Sequence, residues 1–561
     1  MTVRAQTYFI GFKENNFSSL ETTYFNELTM KQLLLGAEAI ALGALDAGIS
    51  GVYAYPGTPS TEITEYIQKN RGEREQPVRS DWSANEKTAY EAALGMSYAG
   101  KRSLVCMKHV GLNVAADAFI NSAITGVNGG LVVAVADDPS MHSSQNEQDS
   151  RVYGKFAMVP VLEPASQQEL YDTARYAFDL SETLKLPVLL RVTTRLAHSR
   201  AGVEGTASRL QNPLNAPYAQ DRFVLMPHNA RRQYNNLVGM QGQLEEHAES
   251  SWLNRLIPGT GSTGVLAFGI AFNYVMEVRQ TYGLDCPILK IGHYPLPRKK
   301  IEAFFNFCDT ILVAEEGYPV YEELLRGYFG NNRIKGRLDG TLPRAGELNA
   351  DSLTLALGLA KPEVIPVPAI MVNRPPELCK GCGHRDLYEA LNTVMSSHEQ
   401  HHVFSDIGCY TLGALAPYNA IHTCVDMGAS ITMAKGAADA GLRPAVAVIG
   451  DSTFTHSGMT GLLDAINDRS PLTVIIADND TTAMTGGQDS SANGSRLLKI
   501  CLGLGVDEAH LKTIIPLKSH LAENIAVLRK EIAWDGVSVV IAQRECLETT
   551  ARKKRNPAVK A

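Results

Sequence analysis

The chain has 561 residues, of which 45% are hydrophobic and 20% are charged, proportions that are ordinary for a soluble globular protein. Its 52 lysines and arginines and 59 aspartates and glutamates give a net charge of −7, which excludes the basic footprint of a nucleic-acid-binding protein. A chain of this length predicts roughly three to four domains.

The sequence also lacks the signals of export and membrane insertion. No apolar run approaches the roughly 18 residues that span a bilayer, and the first residues contain no hydrophobic core of a signal peptide. Nine cysteines are scattered along the chain, which is not the spacing of a disulfide framework. We therefore expect a cytoplasmic protein without a membrane partner.

An alternation of strands and helices begins after an N-terminal extension, residues 1–29, that shows no clear period. Over residues 30–205, short apolar runs separated by helical patterns predict one doubly wound α/β domain. The predicted strands of this domain are Gly51–Tyr55, Leu104–Met107, Leu131–Ala136 and Pro187–Thr194.

The rest of the chain predicts a smaller α/β unit and a second doubly wound domain, joined by linkers. These segments are a linker with a helical excursion over 206–261, the smaller unit over 262–345, a linker over 346–369, the second domain over 370–550 and a basic tail over 551–561. The tail contains Arg552-Lys553-Lys554-Arg555, which is either a solvated terminus or a partner-binding patch.

The stretch most informative about chemistry lies in the second doubly wound domain, residues 370–550. Two short apolar runs, Ala445–Ile449 and Leu472–Ala477, predict buried parallel strands with a helix between them. Both strands then end at the same edge of a sheet, which is where open α/β sheets bind ligands. The loops after these two strands are therefore candidates for a site.

Asp451 lies in the first of these loops and Asn479 in the second. A carboxylate and a carboxamide that converge are hard oxygen ligands suited to Mg²⁺, which usually also binds phosphate groups. Gly450-Asp451-Ser452, followed by 26 residues and Asn479, resembles the thiamine diphosphate fingerprint, with Ser452 in place of its second glycine. The alternative is a pair of turns in an ordinary βαβ unit.

Glu86 is a candidate for the carboxyl group that thiamine diphosphate enzymes place against the aminopyrimidine ring. Such a carboxyl stabilises the imino form of the ring and must be buried to do so. The spacing Ser83-x-x-Glu86 is also that of a helix capping box, which favours a purely structural role. The spacing leaves both interpretations open.

Cys379-Lys-Gly-Cys382-Gly-His384 has the appearance of a metal-binding segment. A zinc ion or a cluster would need two further ligands, and the plausible donors nearby in sequence are Cys409 and Cys424. Because no second Cys-x-x-Cys is present, a metal at this segment is the less favoured interpretation.

Several loop residues near predicted strand ends also allow two interpretations. Gly408 and Gly428 would let backbone N–H groups approach a diphosphate, or would simply allow the chain to turn. The polar run His142–Asp149 would line a site or a subunit contact, or form a solvated loop. For Lys108 and His456 the position favours a structural role.

These segments together closely resemble the α subunits of indolepyruvate:ferredoxin oxidoreductases, a family of thiamine diphosphate-dependent 2-oxoacid:acceptor oxidoreductases. The resemblance covers residues 31–546. It rests on AYPGTPSTEI (54–63), NEK (85–87), MKHVGLNVAAD (107–117), VADDPSMHSSQNEQDSR (135–151), RPPELCKGCGHR (374–385), DIGCYTLGAL (406–415), MGASI (427–431), GDSTFTHSG (450–458) and TTAMTGGQ (481–488).

The resemblance implies that the cofactor lies between a pyrimidine-binding domain, residues 30–205, and a diphosphate-binding domain, residues 370–550. It also implies that residues 262–345 form a transketolase C-terminal-like domain. Glu86 takes the aminopyrimidine role and Thr58 lies on the substrate side of the site.

The resemblance further implies that Mg²⁺ is bound by the side chains of Asp451 and Asn479 and by the carbonyl of Thr481. The other residues that it places at the cofactor are Gly408, Cys409, Gly428, Gly450, Ser452, Cys382 and His384.

The implied reaction is the oxidative decarboxylation of an aryl 2-oxoacid, such as indolepyruvate or phenylpyruvate, to an acyl-CoA. The implied partners are a β subunit of the same oxidoreductase family and a ferredoxin-like or flavin-containing protein, in a hetero-oligomer that contains an α–α dimer. The family's α subunit usually continues into a ferredoxin-like segment, whereas only 15 residues, none of them cysteine, follow Cys546 here. We therefore expect no iron–sulfur cluster in this chain.

Two other functions remain open from the sequence. A non-redox decarboxylase or carboligase would use the same cofactor and release an aldehyde without an electron acceptor. A non-catalytic cofactor-binding subunit would show no turnover even with its partners, but the presence of Glu86, Asp451 and Asn479 argues against it.

Overall fold

The computed structural model describes residues 31–555 apart from 216–219, 330–332, 361–365, 369, 372–375 and 400. The predicted N-terminal extension and the last part of the basic tail lie outside the described residues. No helix in the described ranges combines the length and the apolar character that crossing a membrane requires.

The first unit alternates strands with helices, as predicted. Its elements are β1 Gln32–Leu35, α1 Gly36–Asp46, β2 Gly51–Ala54, α2 Thr61–Asn70, β3 Arg79–Trp82, α3 Glu86–Tyr98, β4 Ser103–Lys108, α4 His109–Thr125, β5 Leu131–Asp137, α5 Arg151–Ala157, β6 Val161–Leu162, α6 Gln167–Leu184, β7 Val188–Thr193, α7 Thr194–His198 and β8 Arg200–Val203.

Strands β2 to β7 form the parallel core of the first sheet, in the order β6-β7-β5-β4-β2-β3. Every residue of β4, β5 and β7 is buried, because helices cover both faces of the sheet. This explains why these strands are continuous apolar runs. Strands β1 and β8 form a separate antiparallel pair, which the sequence did not predict.

The second unit contains a smaller sheet. Its elements are α8 Gln220–Phe223, α9 Pro227–Gly239, α10 Gln241–Ser250, β9 Arg255–Ile257, β10 Thr263–Phe268, α11 Ala271–Tyr282, β11 Ile288–Ile291, β12 His293–Tyr294, α12 Arg298–Phe307, β13 Thr310–Ala314, α13 Val320–Phe329, β14 Ile334–Lys335 and α14 Ala350–Ala356.

The smaller sheet has the order β14-β13-β10-β11-β9. Its edge strand β9 comes from the segment predicted as a linker and pairs antiparallel with β11. Strand β12 leaves this unit and pairs antiparallel with β6, so it becomes the edge of the first sheet. The two sheets are therefore joined through the backbone.

The third unit repeats the doubly wound plan. Its elements are α15 Gly383–Met395, β15 His402–Ser405, β16 Thr423–Cys424, α16 Ala429–Asp439, β17 Ala445–Gly450, α17 Asp451–Thr453, α18 Met459–Asn467, β18 Thr473–Asp478, α19 Gly494–Leu504, β19 Leu511–Ile514, α20 Leu521–Ile532, β20 Ser538–Gln543 and α21 Leu547–Arg555.

The third sheet is entirely parallel, in the order β16-β15-β17-β18-β20-β19. Strands β17 and β18 are neighbours in it, which confirms that the loops after them meet at one edge. The predicted fold class, α/β with two doubly wound units and a smaller one, is confirmed. The basic tail begins within α21, where Arg552 donates to the carbonyl of Gly487 (2.9 Å) and so lies against the loop after β18.

A buried group of charges holds the first sheet to the smaller unit. Arg191, on β7, is fully buried and donates to Asp137 Oδ2 (2.6 Å) and to the carbonyl of Glu316 (2.9 Å). Arg151, also fully buried, bonds to Asp149 (2.5 Å) and lies 3.0 Å from Glu315. Because each charge has a partner, the cluster avoids the penalty of an isolated buried ion.

Replacing Arg191 by methionine should leave Asp137 buried beside a side chain that cannot neutralise it. We expect Arg191→Met to lower the free energy of unfolding by about 3–5 kcal/mol, the usual cost of removing one partner of a buried ion pair. Denaturant titration followed by circular dichroism measures this change. The control is Arg195→Met, because Arg195 is half-exposed and its pair with Glu347 should contribute about 1 kcal/mol or less. Equal effects of the two substitutions would contradict the account.

Candidate functional site

A cavity of about 560 Å³ lies between the first and third units. Its walls are formed by the loops after β2, β15, β17 and β18, by the start of α3 and α4, and by residues 143–146. The strands that lead into these loops point their carboxyl ends at the cavity, as in the ligand sites of other open α/β sheets. The predicted site residues that line it are Thr58, Glu86, Gly408, Cys409, Gly450, Asp451, Ser452, Asn479 and Thr481.

Glu86 is the first residue of α3 and is only 5% exposed. The N-cap of this helix is Asn85, whose side chain accepts a hydrogen bond from the backbone N–H of Thr88 (2.9 Å). The capping-box interpretation of Ser83 and Glu86 is therefore wrong. Glu86 is free to direct its carboxyl group into the cavity.

The carboxyl group of Glu86 occupies space that a glycine leaves open on α4. A Cβ atom added at Gly111 would lie 2.5 Å from Glu86 Oε1 and 2.7 Å from its Cγ. Any larger residue at position 111 would force the carboxyl group out of its place. The family stretch MKHVGLNVAAD thus contains a residue that shapes the site sterically.

His456 is the partner of Glu86 and was not predicted as a site residue. Its Nε2 lies 2.8 Å from Glu86 Oε2, and Asn85 donates to its backbone carbonyl (2.9 Å). The imidazole also packs edge-on against Tyr55, with ring centroids 4.7 Å apart. His456 lies in one turn of π-helix, Phe454–Gly458, a local irregularity that is frequent at functional sites.

Asp451 is 2% exposed and its Oδ2 has no hydrogen-bond partner among the described residues. Burial, helped by the charge of Asp478, raises the pKa of Asp451 to about 8. Asn479 and Thr481 line the same part of the cavity, and Thr481 donates its backbone N–H to Asn479 Oδ1 (3.2 Å). A buried carboxylate oxygen without a donor, next to a carboxamide, fits a divalent cation with hard oxygen ligands.

The loop predicted to face the diphosphate is held by Asp406. This carboxylate, 0% exposed, accepts from the backbone N–H groups of Gly428 and Ser430 (3.1 Å for Ser430) and from the Ser430 hydroxyl. Gly428 has φ +101°, and a Cβ there would lie 2.4 Å from the Cβ of Ser457. Gly428 itself does not line the cavity, but Val425, Asp426 and Met427 before it do.

Cys382 and His384 line a second cavity, of about 490 Å³, on the other side of Cys409 and Asn479. Burial lowers the pKa of His384 to about 4, so its imidazole is neutral, and its Nδ1 lies 3.4 Å from Cys382 Sγ. Cys379, Cys409 and Cys546 also line this second cavity. Cys424, one of the two donors considered from the sequence, instead contacts the carbonyl of Asp406 (3.5 Å).

The polar loop His142–Asp149 contributes to both the site and the interior. Ser143, Gln145 and Asn146 line the first cavity, although they are largely exposed. Asp149 is buried in the ion-pair cluster with Arg151. The loop is therefore not simply solvated.

Two family models match parts of the chain that contribute to the cavity. The model of the family "Pyruvate flavodoxin/ferredoxin oxidoreductase, thiamine diP-bdg" matches residues 42–249, and that of "Thiamine pyrophosphate enzyme, C-terminal TPP binding domain" matches residues 406–513. The chain is 39% identical over 558 residues to indolepyruvate oxidoreductase subunit IorA of Methanothermobacter thermautotrophicus, which covers 94% of this chain and 88% of that one.

The chain belongs to the IorA family of indolepyruvate oxidoreductase subunits. The subunit of the same name from Archaeoglobus fulgidus is 37% identical over 557 residues, with the same coverage of both chains. A more distant match, 27% identical over 34% of this chain and 56% of that one, is 2-oxoglutarate synthase subunit KorA of Methanocaldococcus jannaschii. This IorA-family chain is thus a subunit of a thiamine diphosphate-dependent 2-oxoacid oxidoreductase.

Removing the carboxylate of Asp451 should weaken cofactor binding, because a divalent cation bound at this loop would lose a charged ligand. We expect Asp451→Ala to weaken thiamine diphosphate binding by at least about 100-fold in the presence of Mg²⁺. Calorimetric titration measures the affinity, with Asp468→Ala as the control, since the Asp468 side chain is 61% exposed. Unchanged affinity in a folded Asp451→Ala protein would contradict the assignment.

Proposed function

We propose that this subunit, with its partners, performs the oxidative decarboxylation of aryl 2-oxoacids of the indolepyruvate and phenylpyruvate type to acyl-CoA. The single observation that supports this most is the placement of the buried Glu86 carboxyl group opposite Asp451 and Asn479 in one cavity. A pyrimidine site and a diphosphate site are thereby proposed at the two ends of the same space.

The residues present fit thiamine diphosphate and Mg²⁺. Asp451, Asn479 and the carbonyl of Thr481 would hold the metal, while Gly408, Cys409, Gly450 and Ser452 would contact the diphosphate. The cofactor, when bound, supplies a nucleophilic carbon and an electron sink for decarboxylation.

Glu86 would hold the proton that it exchanges with the aminopyrimidine ring. Glu86 is buried, and its carboxyl group fits into the space beside Gly111, which fixes its position in the cavity wall. His456 would keep Oε2 in place through the 2.8 Å contact with Nε2. Thr58 would lie on the substrate side, since it follows β2 and lines the cavity next to Ser143, whose Oγ is 3.3 Å from the Thr58 carbonyl.

An aryl side chain on the substrate is supported by the apolar residues around the cavity. Val114, Val425 and Met484 line it and are 36%, 56% and 59% exposed. Exposed apolar side chains that cluster at a cavity favour an apolar ligand or partner. The names of the curated relatives, indolepyruvate oxidoreductase subunits, point to the same substrate class.

We propose that the electrons pass to clusters or a flavin on partner subunits, and that this chain holds no iron–sulfur cluster of its own. A [4Fe–4S] centre needs four thiolates in a compact arrangement. In the part of the chain that the structure describes, no group of three or more His, Cys, Asp and Glu side chains is placed to hold a metal ion. The proposed partners are a β subunit of the same family and a ferredoxin-like or flavin-containing protein, with an α–α dimer within the complex.

Glu86→Gln tests the proposed proton role, because glutamine keeps the shape of the side chain and removes its acidity. We expect turnover to fall by at least about 100-fold, the low end of general acid–base contributions, while cofactor affinity changes little. The control is Glu91→Gln, an exposed position on the same helix α3. Near-normal turnover in Glu86→Gln would contradict the role.

The proposed electron route predicts that the isolated chain contains no iron and reduces no viologen dye until partner subunits are added. Iron and sulfide analysis, with dye reduction measured before and after adding the partners, tests this. Release of aldehyde without an acceptor would instead indicate the non-redox decarboxylase. Stoichiometric iron in the lone chain would contradict the route and point to Cys379, Cys382, Cys409 and Cys546, which line the second cavity.

A further inference from the structure

Lys108 is a buried cation that has no role in the reaction as proposed above. It is the last residue of β4, is 8% exposed and lines the 560 Å³ cavity. Among the described residues that line this cavity, it is the single lysine or arginine. The other ionisable groups of the lining that are charged or chargeable near neutral pH are the carboxyl groups of Glu86, Asp426 and Asp451 and the imidazole of His456.

The ammonium group of Lys108 is held in place by Ser143. Its Nζ donates to the backbone carbonyl of Ser143 (2.8 Å) and to the Ser143 hydroxyl (3.1 Å). An ammonium group has three N–H donors, so these two bonds leave one donor and the full charge. The nearest carboxylate, Asp138, is 4.0 Å away.

Asp138 attracts the ammonium group across this 4.0 Å separation but is too far away to accept a hydrogen bond from it. The oxygens of Asp138 are hydrogen-bonded to other groups. They accept from the backbone N–H of Ser143 (2.9 Å) and from the hydroxyl groups of Ser144 and Thr194 (2.5 and 2.7 Å). Asp138 therefore positions the loop that holds Lys108.

Lys108 lies close to Thr58, and therefore on the side of the cavity that is proposed to bind the substrate. A Cβ at Gly57 would be 3.3 Å from the Cβ of Lys108, so the turn that presents Thr58 packs directly on the lysine. Ser143 connects the two, since its Oγ contacts both Lys108 Nζ and the Thr58 carbonyl. The proposed metal ligands come from the other sheet.

We propose that Lys108 binds the carboxylate of the 2-oxoacid substrate, with Ser143 positioning the ammonium group. This inference rests on the proposed function and adds a substrate-binding residue to it. A 2-oxoacid is an anion that enters a cavity with three carboxyl groups in its wall, and Lys108 is the one lysine or arginine of the described lining. The carboxylate contact is lost when the substrate releases carbon dioxide, so it stabilises the bound substrate more than the later transition state.

The environment of Lys108 predicts how binding depends on pH. Burial lowers the pKa of Lys108 to about 8, and the negative charge of Asp138 opposes this shift. The neighbouring titratable residue, His109, contacts the carbonyl of Asn146 (3.3 Å). The Lys108 side chain is mostly protonated below this pKa and mostly neutral above it. Substrate binding should therefore weaken above about pH 8, by about tenfold per pH unit, until the pKa of the complex is reached.

Ligand binding with and without a carboxylate tests the inference. The probes are 3-phenylpropionate and its neutral amide, titrated into the full chain with its partner subunits, thiamine diphosphate and Mg²⁺. We expect Lys108→Met to weaken binding of the carboxylate by roughly 10- to 100-fold, as for a lost charge-assisted hydrogen bond, and to leave the amide unchanged within about twofold. Lys108→Arg should retain carboxylate binding and remove the loss above pH 8, because arginine stays protonated.

Steady-state kinetics gives a second measurement. Lys108→Met should raise KM for an aryl 2-oxoacid by the same factor with little change in kcat. Lys69→Met, an exposed lysine on α2, is the matched control and should change neither constant.

Three results would overturn the inference. The first is that Lys108→Met weakens binding of the acid and of the amide equally. The second is that the wild-type protein does not bind the acid more tightly than the amide. The third is a loss of thiamine diphosphate affinity in Lys108→Met, which would place the lysine at the cofactor. A different result would contradict the proposed function alone. In that case the wild-type complex would not turn over aryl 2-oxoacids, although it would still bind the acid more tightly than the amide and lose this preference in Lys108→Met.

Discussion

The contact between Glu86 and His456 is the interaction on which the proposed site depends. The two residues are 370 positions apart in sequence, at the start of α3 in the first unit and in the π-helical turn of the third unit, and their side chains meet at 2.8 Å with both groups buried. Glu86 can reach this position because Asn85 caps α3 in its place and Gly111 leaves room for the carboxyl group. The contact therefore joins the two units and keeps a buried acid in the wall of the cavity.

The charges around the cavity are divided between the two units. The third unit supplies Asp451, whose unpaired Oδ2 fits a cation, and the first unit supplies Lys108, whose remaining donor fits an anion. The Asp137–Arg151 segment that includes the Ser143 loop is fixed at its two ends by buried ion pairs, of Asp137 with Arg191 and of Arg151 with Glu315. The ion-pair cluster between the first and second units thus bears on the geometry of the site as well as on stability.

Much of the fold follows from local patterns. Continuous apolar runs predicted β4, β5, β17 and β18 to within one or two residues, because strands buried on both faces tolerate few polar side chains. The edge strands β9 and β12 were missed, since they are short and pair antiparallel at the rim of a sheet. Short edge strands have no apolar signature of their own.

The residues that line the site were predictable only where a motif specifies them. Asp451 and Asn479 followed from two buried strands in a βαβ unit, and the structure brings both to one cavity. The spacing at Glu86 favoured a cap, because Ser83 and Asn85 are both good N-cap residues and local sequence does not decide between them. For His456 and Lys108 the position near a strand end favoured a structural role, because their contacts with Glu86 and Ser143 are made between segments distant in sequence.

A structure of the protein crystallised with thiamine diphosphate and Mg²⁺ tests the central claim most directly. The account predicts diphosphate density in the 560 Å³ cavity, a metal within about 2.1 Å of Asp451 Oδ2, and the aminopyrimidine ring within hydrogen-bond distance of Glu86. Cofactor density in the neighbouring cavity lined by Cys382 and His384, with Glu86 out of reach of the ring, would contradict it.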